Sequence, residues 1–388
     1  MSKTIAFGLI IFFLLVIVAG LVWLLFFSGS EGIQGAIGKF FPVAGERDRP
    51  VPTVPGPADG AGASGPNDET ARRLIQISEG RVSGFKPIAG GVRYIERATG
   101  HVFESNPDGR NQVRVSNTTI PGIFDSVWSY NADGAVIRYR ENEKARMASV
   151  RFVGTTTAGV LLPASILSVA YAPNRARLVY VAEVNGTLAV IAADPDNSKQ
   201  SEMLRLPPAD FEISWPVSNT LYFVTRPSGE ADGYLYKYNI DKKNFSKFYG
   251  PEHGLEVNFD SLGKKVLLSV FDPSGNRPEL VVLDSASGER TNLESATLAR
   301  KCAWSAANTI ICAIPADIPS GIYPDAWYKG QVGFNDSLWQ INIDTLTKEN
   351  LANLPDIDVE AMAIAPDGSH VYFQDKKEGA LWGYKLTP

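Results

Sequence analysis

Apolar and polar positions fall into three regimes along the chain. Thr4 to Phe27 reads TIAFGLIIFFLLVIVAGLVWLLFF, without a charge and almost without a polar side chain. As a helix rising about 1.5 Å per residue, it is longer than the roughly 30 Å hydrocarbon layer of a bilayer. The run is apolar all round, which suits lipid better than a soluble core. It is also longer than the core of a cleaved signal peptide, and no small-residue cleavage site follows it. Residues 4–27 are therefore expected to be one transmembrane α-helix acting as a signal-anchor, with the lipid bilayer as its partner. Residues 28–72 show no apolar periodicity. Arg49 to Asp68, RPVPTVPGPADGAGASGPND, is rich in Pro, Gly and Ala and buries too little surface to offset its ordering entropy. A disordered linker is expected there, with a short interfacial helix or a juxtamembrane coil over Gly32 to Phe41.

From about Leu74 the pattern changes to short apolar runs separated by polar turns. Val136, Arg138 and Arg140 alternate with Ile137 and Tyr139, the period of a half-buried strand. No helical stretch of useful length is predicted beyond residue 73. The strands recur as a unit. Each copy has an aromatic anchor closing one strand, a polar turn and a second, β-branched strand. The anchors Phe85, Trp128, Tyr171, Trp215, Phe259 and Trp304 are spaced by 43, 43, 44, 44 and 45 residues. Ile364 takes the anchor place in a seventh copy, 60 residues after Trp304. A third strand follows in each copy, as in GTLAVIAAD, GYLYKYNID and SLWQINID, and then a more polar fourth, as in Met203 to Pro207.

Four short strands in a period of 40–45 residues is the blade pattern of a β-propeller. The expected fold is all-β, about seven blades of four strands over residues 73–388. The last copy ends after its third strand, whereas Leu74 to Gly80 looks like a fourth strand without a blade. Placed on the last blade, that segment closes the ring and removes an exposed edge.

The copies IAPDGSHVYFQ (Ile364 to Gln374) and WSYNADGAVIRY (Trp128 to Tyr139) resemble the WD-repeat-like propellers of the TolB type. The resemblance spans residues 74–388. It implies the fold and, across that broad family, mostly binding platforms, some of them periplasmic. No peptidase domain follows, so the role of the peptidase-fused members is not implied.

Composition narrows the function classes. With 37 Lys and Arg against 42 Asp and Glu, the net charge is −5, and no basic patch invites nucleic acid. The short amino-terminal tail before the apolar run, with a large domain behind it, suggests a cytoplasmic N-terminus and an extracytoplasmic propeller. No nucleophile elbow, zincin helix, phosphate loop or CxxC pair occurs, and no cofactor or metal is expected. The acidic residues Asp194, Asp196, Asp272, Asp284 and Asp344 sit at predicted turns, where Asp caps its own backbone.

Two features of the sixth copy stand out. Cys302 and Cys312 flank a predicted hairpin turn, directly opposite on adjacent strands and within disulfide reach. A disulfide and a pair of buried thiols both fit that placement. The second feature is an insertion between the second and third strands, Ala316 to Asp336. It carries Tyr323, Trp327, Tyr328 and Phe334, with Asp325, Lys329 and Asp336 beside them. Exposed aromatics with a few charges make a binding hot spot. The same residues folded inward would make a lid over the blade. The leading expectation is a non-enzymatic interaction module with a protein partner in the cell envelope. An enzyme or carbohydrate-binding protein with its site at the channel mouth is the alternative.

Overall fold

The computed structural model describes residues 73–271 and 277–386. The expected transmembrane helix (4–27), the linker (28–72) and the turn residue Asp272 lie outside the described residues. Among the described residues no helix is long and apolar enough to cross a membrane.

Seven four-stranded antiparallel sheets make the propeller. Their inner strands are Val82–Ile88, Ile123–Trp128, Ile166–Tyr171, Phe211–Val217, Glu256–Phe259, Cys302–Ala306 and Val359–Ile364. Each carries one of the seven anchors, from Phe85 to Ile364. In blades one to six the four strands follow each other outward in chain order. The third strand of blade two, the one third strand that the sequence marks least clearly, is ten residues long, Lys144–Val153.

The ring closes as the spare strand requires. Leu74–Gln76 is the outer strand of blade seven, with Leu74 opposite Tyr384 and Gln76 opposite Trp382. The next residue, Ile77, is 1% exposed and donates its N–H to the Leu381 carbonyl at 2.8 Å. The first and last segments of the domain are thus one sheet, in which Leu74–Gln76 covers the edge of the last strand.

The core lies between blades. Val179, Val181 and Val190 of blade three pack on Phe211, Ile213, Trp215 and Phe223 of blade four. Equivalent clusters join blades two to three, four to five, five to six, six to seven and seven to one. Second strands are therefore covered on both faces. Leu178 to Ala182 is buried without alternation, and in blade two Val136 is buried beside Ile137. Simple alternation survives only toward the outer end of that strand, because neighbouring blades cover both sides of its inner end. Where blades one and two meet, backbones come close. Ser126 Oγ donates to the Ser83 carbonyl at 2.9 Å, and a side chain on Gly84 would sit 2.2 Å from that hydroxyl.

Among the described residues beyond 73 helix is sparse, as expected. There is a 3-10 turn, Ala299–Lys301, and a one-turn helix, Asp325–Tyr328. Both belong to blade six, which also departs most from its siblings.

Candidate functional site on blade six

The insertion leaves the second strand of blade six at Pro315 and returns at Asp336. The bond from Ala316 N–H to the Asn335 carbonyl, 3.0 Å, closes its neck. Between these points the chain forms a strap over the face where second-to-third-strand connections emerge. Its inner side is apolar. Tyr323, Trp327 and Phe334 are buried and pack on Phe271 of blade five and Leu298. Tyr323 stacks between Phe271 and Phe334, at 6.4 and 5.9 Å between ring centres. The strap also reaches blade four, where Gly229 donates its N–H to Asp325 Oδ2 at 2.8 Å. Glycine is needed at this crossing, since a Cβ there would lie 2.3 Å from the Tyr323 carbonyl oxygen.

Beneath the aromatics lies a charged cluster. Lys301, the last residue of the 3-10 turn, is fully buried. Its Nζ is 2.7 Å from Asp336 Oδ2 and 2.7 Å from Asp358 Oδ1. Asp358 also accepts from Trp327 Nε1 at 2.9 Å and from the Phe334 N–H at 3.1 Å. Asp336 accepts the Val359 N–H at 2.7 Å. One ammonium thus ties blade six, blade seven and the strap together. Burial pushes the Asp336 carboxyl above its ordinary range, against the pull of Lys301.

A second polar group lies at the rim. The Tyr328 hydroxyl donates to Glu256 and accepts from Arg300 Nη1 at 2.9 Å. The Arg300 guanidinium lies 5.2 Å over the Tyr328 ring and donates to the Glu360 carbonyl at 3.2 Å. Glu256 opens the inner strand of blade five and is 4% exposed. Burial raises its carboxyl above the ordinary range, more than Arg300 and Tyr328 lower it. Burial also holds the Tyr328 phenol well above its usual value. The residue is 40% exposed, but its hydroxyl is shielded between Arg300 and Glu256. The array is a hydrogen-bonding carboxyl, phenol and guanidinium, able to grip a polar ligand or to relay a proton.

The seven predicted loop residues therefore divide. Tyr323, Trp327, Phe334 and Asp336 face inward as anchors, which is the lid arrangement. Tyr328, Asp325 and Lys329 lie toward the outer side, with Lys329 3.6 Å from Asp325. Ile322, not singled out in the sequence, is 48% exposed on the same strap. Lys301, Asp358, Glu256 and Arg300 were also not foreseen. Lys301 and Asp358 are 57 residues apart, and the packing of blade six against blade seven brings them together.

Cys302 and Cys312 are direct cross-strand partners, 4.1 Å apart at Cα, and their sulfurs are bonded. The acidic turn residues behave as backbone caps or ion-pair partners. Asp284 accepts from Ala286 N–H at 2.9 Å, Asp196 from Ser198 N–H at 3.0 Å, and Asp194 pairs with Arg177 at 2.7 Å. Among the described residues no three His, Cys, Asp or Glu side chains are grouped to hold a metal.

No protein-family model matches the chain, and no curated relative matches it. Solved structures do. An oligogalacturonate lyase from Vibrio parahaemolyticus aligns with TM-score 0.56 at 12% identity, over 81% of this chain and 91% of that one. The Cps50 β-propeller domain of Myceliophteria thermophila aligns at 0.54 and 10% identity, over 80% and 98%. TolB from Acinetobacter baumannii aligns at 0.45 and 14% identity, over 69% of this chain and 64% of its own. At these identities the likeness to the lyase and to the Cps50 domain is one of fold.

Proposed function

We propose that the chain is a binding platform that recognises a protein partner through the strap-bearing rim of its propeller. In this reading the apolar segment 4–27 tethers the platform to a membrane, with the propeller on the extracytoplasmic side. One observation carries the proposal. The strap is fastened from below by buried charge and stacked rings, yet it leaves Ile322 (48%) and Tyr328 (40%) exposed. Leu167 (47%), second residue of the blade-three inner strand, lies on the same face. Apolar side chains held on a rigid support lose little entropy on binding, which is what an interface anchor needs.

The test is co-precipitation from membranes with the full chain. Leu167→Asp with Ile322→Asp should lose the specific partners. Leu262→Asp should not, since Leu262 is 60% exposed in a first-to-second-strand turn at the opposite end of blade five. An unchanged partner set in the rim variant would sink the proposal.

The buried Glu256 beside Tyr328 and Arg300 favours one second reading. Perturbed titratable groups cluster at catalytic and ligand sites. An enzyme or carbohydrate-binding site at the channel mouth would use them, and Glu256→Gln would then abolish glycan binding or turnover while leaving protein capture intact.

A further inference from the structure

The cluster beneath the strap has the composition and geometry of a condensation site. Lys301 Nζ is within 2.7 Å of an oxygen from each of two carboxylates, and the three side chains are at most 1% exposed. The Phe334 ring centre is 4.5 Å from Nζ and that of Trp327 is 5.4 Å, so an apolar shell surrounds the nitrogen. The two oxygens of Asp336 are not equivalent. Oδ2 takes both Lys301 and the Val359 N–H, whereas Oδ1 is buried and has no hydrogen-bond partner among the described residues. An unpaired buried carboxylate oxygen is costly, and an ion pair alone does nothing to relieve it. Loss of that oxygen as water would.

We propose that Lys301 and Asp336 condense into an intramolecular amide, with Asp358 carrying the protons. A first proton passes from Nζ to Asp358 and on to Asp336 Oδ1, leaving a neutral amine against a neutral carboxylic acid. Burial, which holds the Asp336 carboxyl above its ordinary range, favours that acid form. Nζ then attacks Cγ. The new C–N bond forms as the carbonyl π electrons move onto Oδ2, where the Val359 N–H already points. A second proton leaves Nζ by the same route to Oδ1. The Cγ–Oδ1 bond breaks, water departs, and Oδ2 becomes the amide oxygen. One ammonium and one carboxylate give one amide and one water. Asp358 ends as the carboxylate it began as, and no oxidant or co-reactant enters. Fixed proximity in a dry site is the rate-giving factor.

The product joins the residue before the inner strand of blade six to the first residue of its third strand. It fastens the foot of the strap covalently, next to Cys302 and Cys312.

Intact mass of the purified full chain tests this directly. The expected value is the sequence mass less one water, beyond any loss from the disulfide. In a tryptic digest, cleavage after Lys301 should fail. The peptide starting at Lys301 should then emerge joined to peptide 330–348, with fragment ions placing the branch at Lys301 and Asp336. Lys301→Arg should restore the missing water. Asp358→Asn should leave the two peptides separate in a chain that keeps its β-sheet circular dichroism. A wild-type chain of full mass, with both peptides recovered unlinked, overturns the proposal. A dehydrated chain whose fragment ions show a succinimide within peptide 330–348 overturns it too. A fully linked Asp358→Asn chain overturns the proton route. Because the wild-type measurement decides the bond by itself, poor folding of a variant does not rescue the idea.

Discussion

Blades two and six solve the same connection in opposite ways. In blade two the second and third strands are joined by Asn142 and Glu143, both with positive φ, at 48° and 63°. That is the two-residue hairpin whose twist matches the strands it joins. Beside it Arg146 and Glu141 form a partly exposed surface pair at 3.5 Å. In blade six the same connection runs from Ala316 to Asn335 and buries three aromatic rings, one ammonium and two carboxylates. Sheet closure needs only the short form. The long form adds charge burial, which is expensive, and so has to be explained by the face it covers rather than by the blade it belongs to.

The sharpest way to break this comparison is to remove the central charge. Lys301→Met leaves Asp336 and Asp358 buried without the Lys301 nitrogen, whether it holds them as an ion or is bonded to Asp336 as proposed above, and should cost about 3–5 kcal/mol in urea unfolding. Arg146→Ala in the blade-two hairpin should stay within about 1 kcal/mol of wild type. Equal effects in the two blades would mean that the strap is not held from below. Next in size is the cross-strand pair at the strap's foot. Replacing both Cys302 and Cys312 with Ala should cost about 2–3 kcal/mol under oxidising conditions, the chain-entropy value for a loop this short. Under reducing conditions that reach the buried sulfurs, the gap between variant and wild type should narrow. A variant as stable as wild type when oxidised would show that the two residues act only as small apolar side chains.

Much of blade two was legible in advance and little of blade six. Anchor spacing located all seven inner strands, because each inter-blade cluster demands the same bulky residue at the same place in the period. The spare segment at Leu74 identified the closing strand, because a lone edge is unstable and blade seven lacked its fourth strand. The insertion was visible as the 60-residue spacing, and its aromatic content suggested either a hot spot or a lid. What decided which rings face inward was absent from the local sequence. The inner side of the strap is set by Lys301 and Asp358, which precede the inner strands of two different blades. Charged residues such as Arg81 and Asp210 hold similar places before other inner strands, and nothing in their neighbourhood marks Lys301 or Asp358 as buried. A pattern read along the chain sees periodicity. It does not see which polar residues the curvature of a ring will stack on one another.

The smallest expected effect separates the outer polar group from the inner one, and its sign follows from burial. Glu256 has its carboxyl raised in the folded state, so in the window between the ordinary carboxylate range and its folded value the folded chain holds a proton that the unfolded chain has released. Its unfavourable contribution is absent below that window, grows as pH rises through it and is complete above it. Glu256→Gln removes the titration but keeps an acceptor for the Tyr328 hydroxyl, and its amide can donate to Ser269 Oγ, which in the wild type donates to Glu256 Oε2 at 3.5 Å. Relative to wild type, the variant should therefore gain stability as pH rises above the ordinary carboxylate range, by about 1.4 kcal/mol per pH unit until the folded-state carboxyl has ionised. Denaturant midpoints at several pH values measure it, with Glu141→Gln in the blade-two hairpin as the control. If both variants track wild type in parallel, the rim carboxyl is not held above its ordinary range, and the case for a functional Glu256 loses its physical support. If only Glu256→Gln diverges, burial of the carboxyl is a cost that the fold sustains at neutral pH. A cost borne at one rim of one blade, and not in the equivalent turn of blade two, belongs to what that rim does.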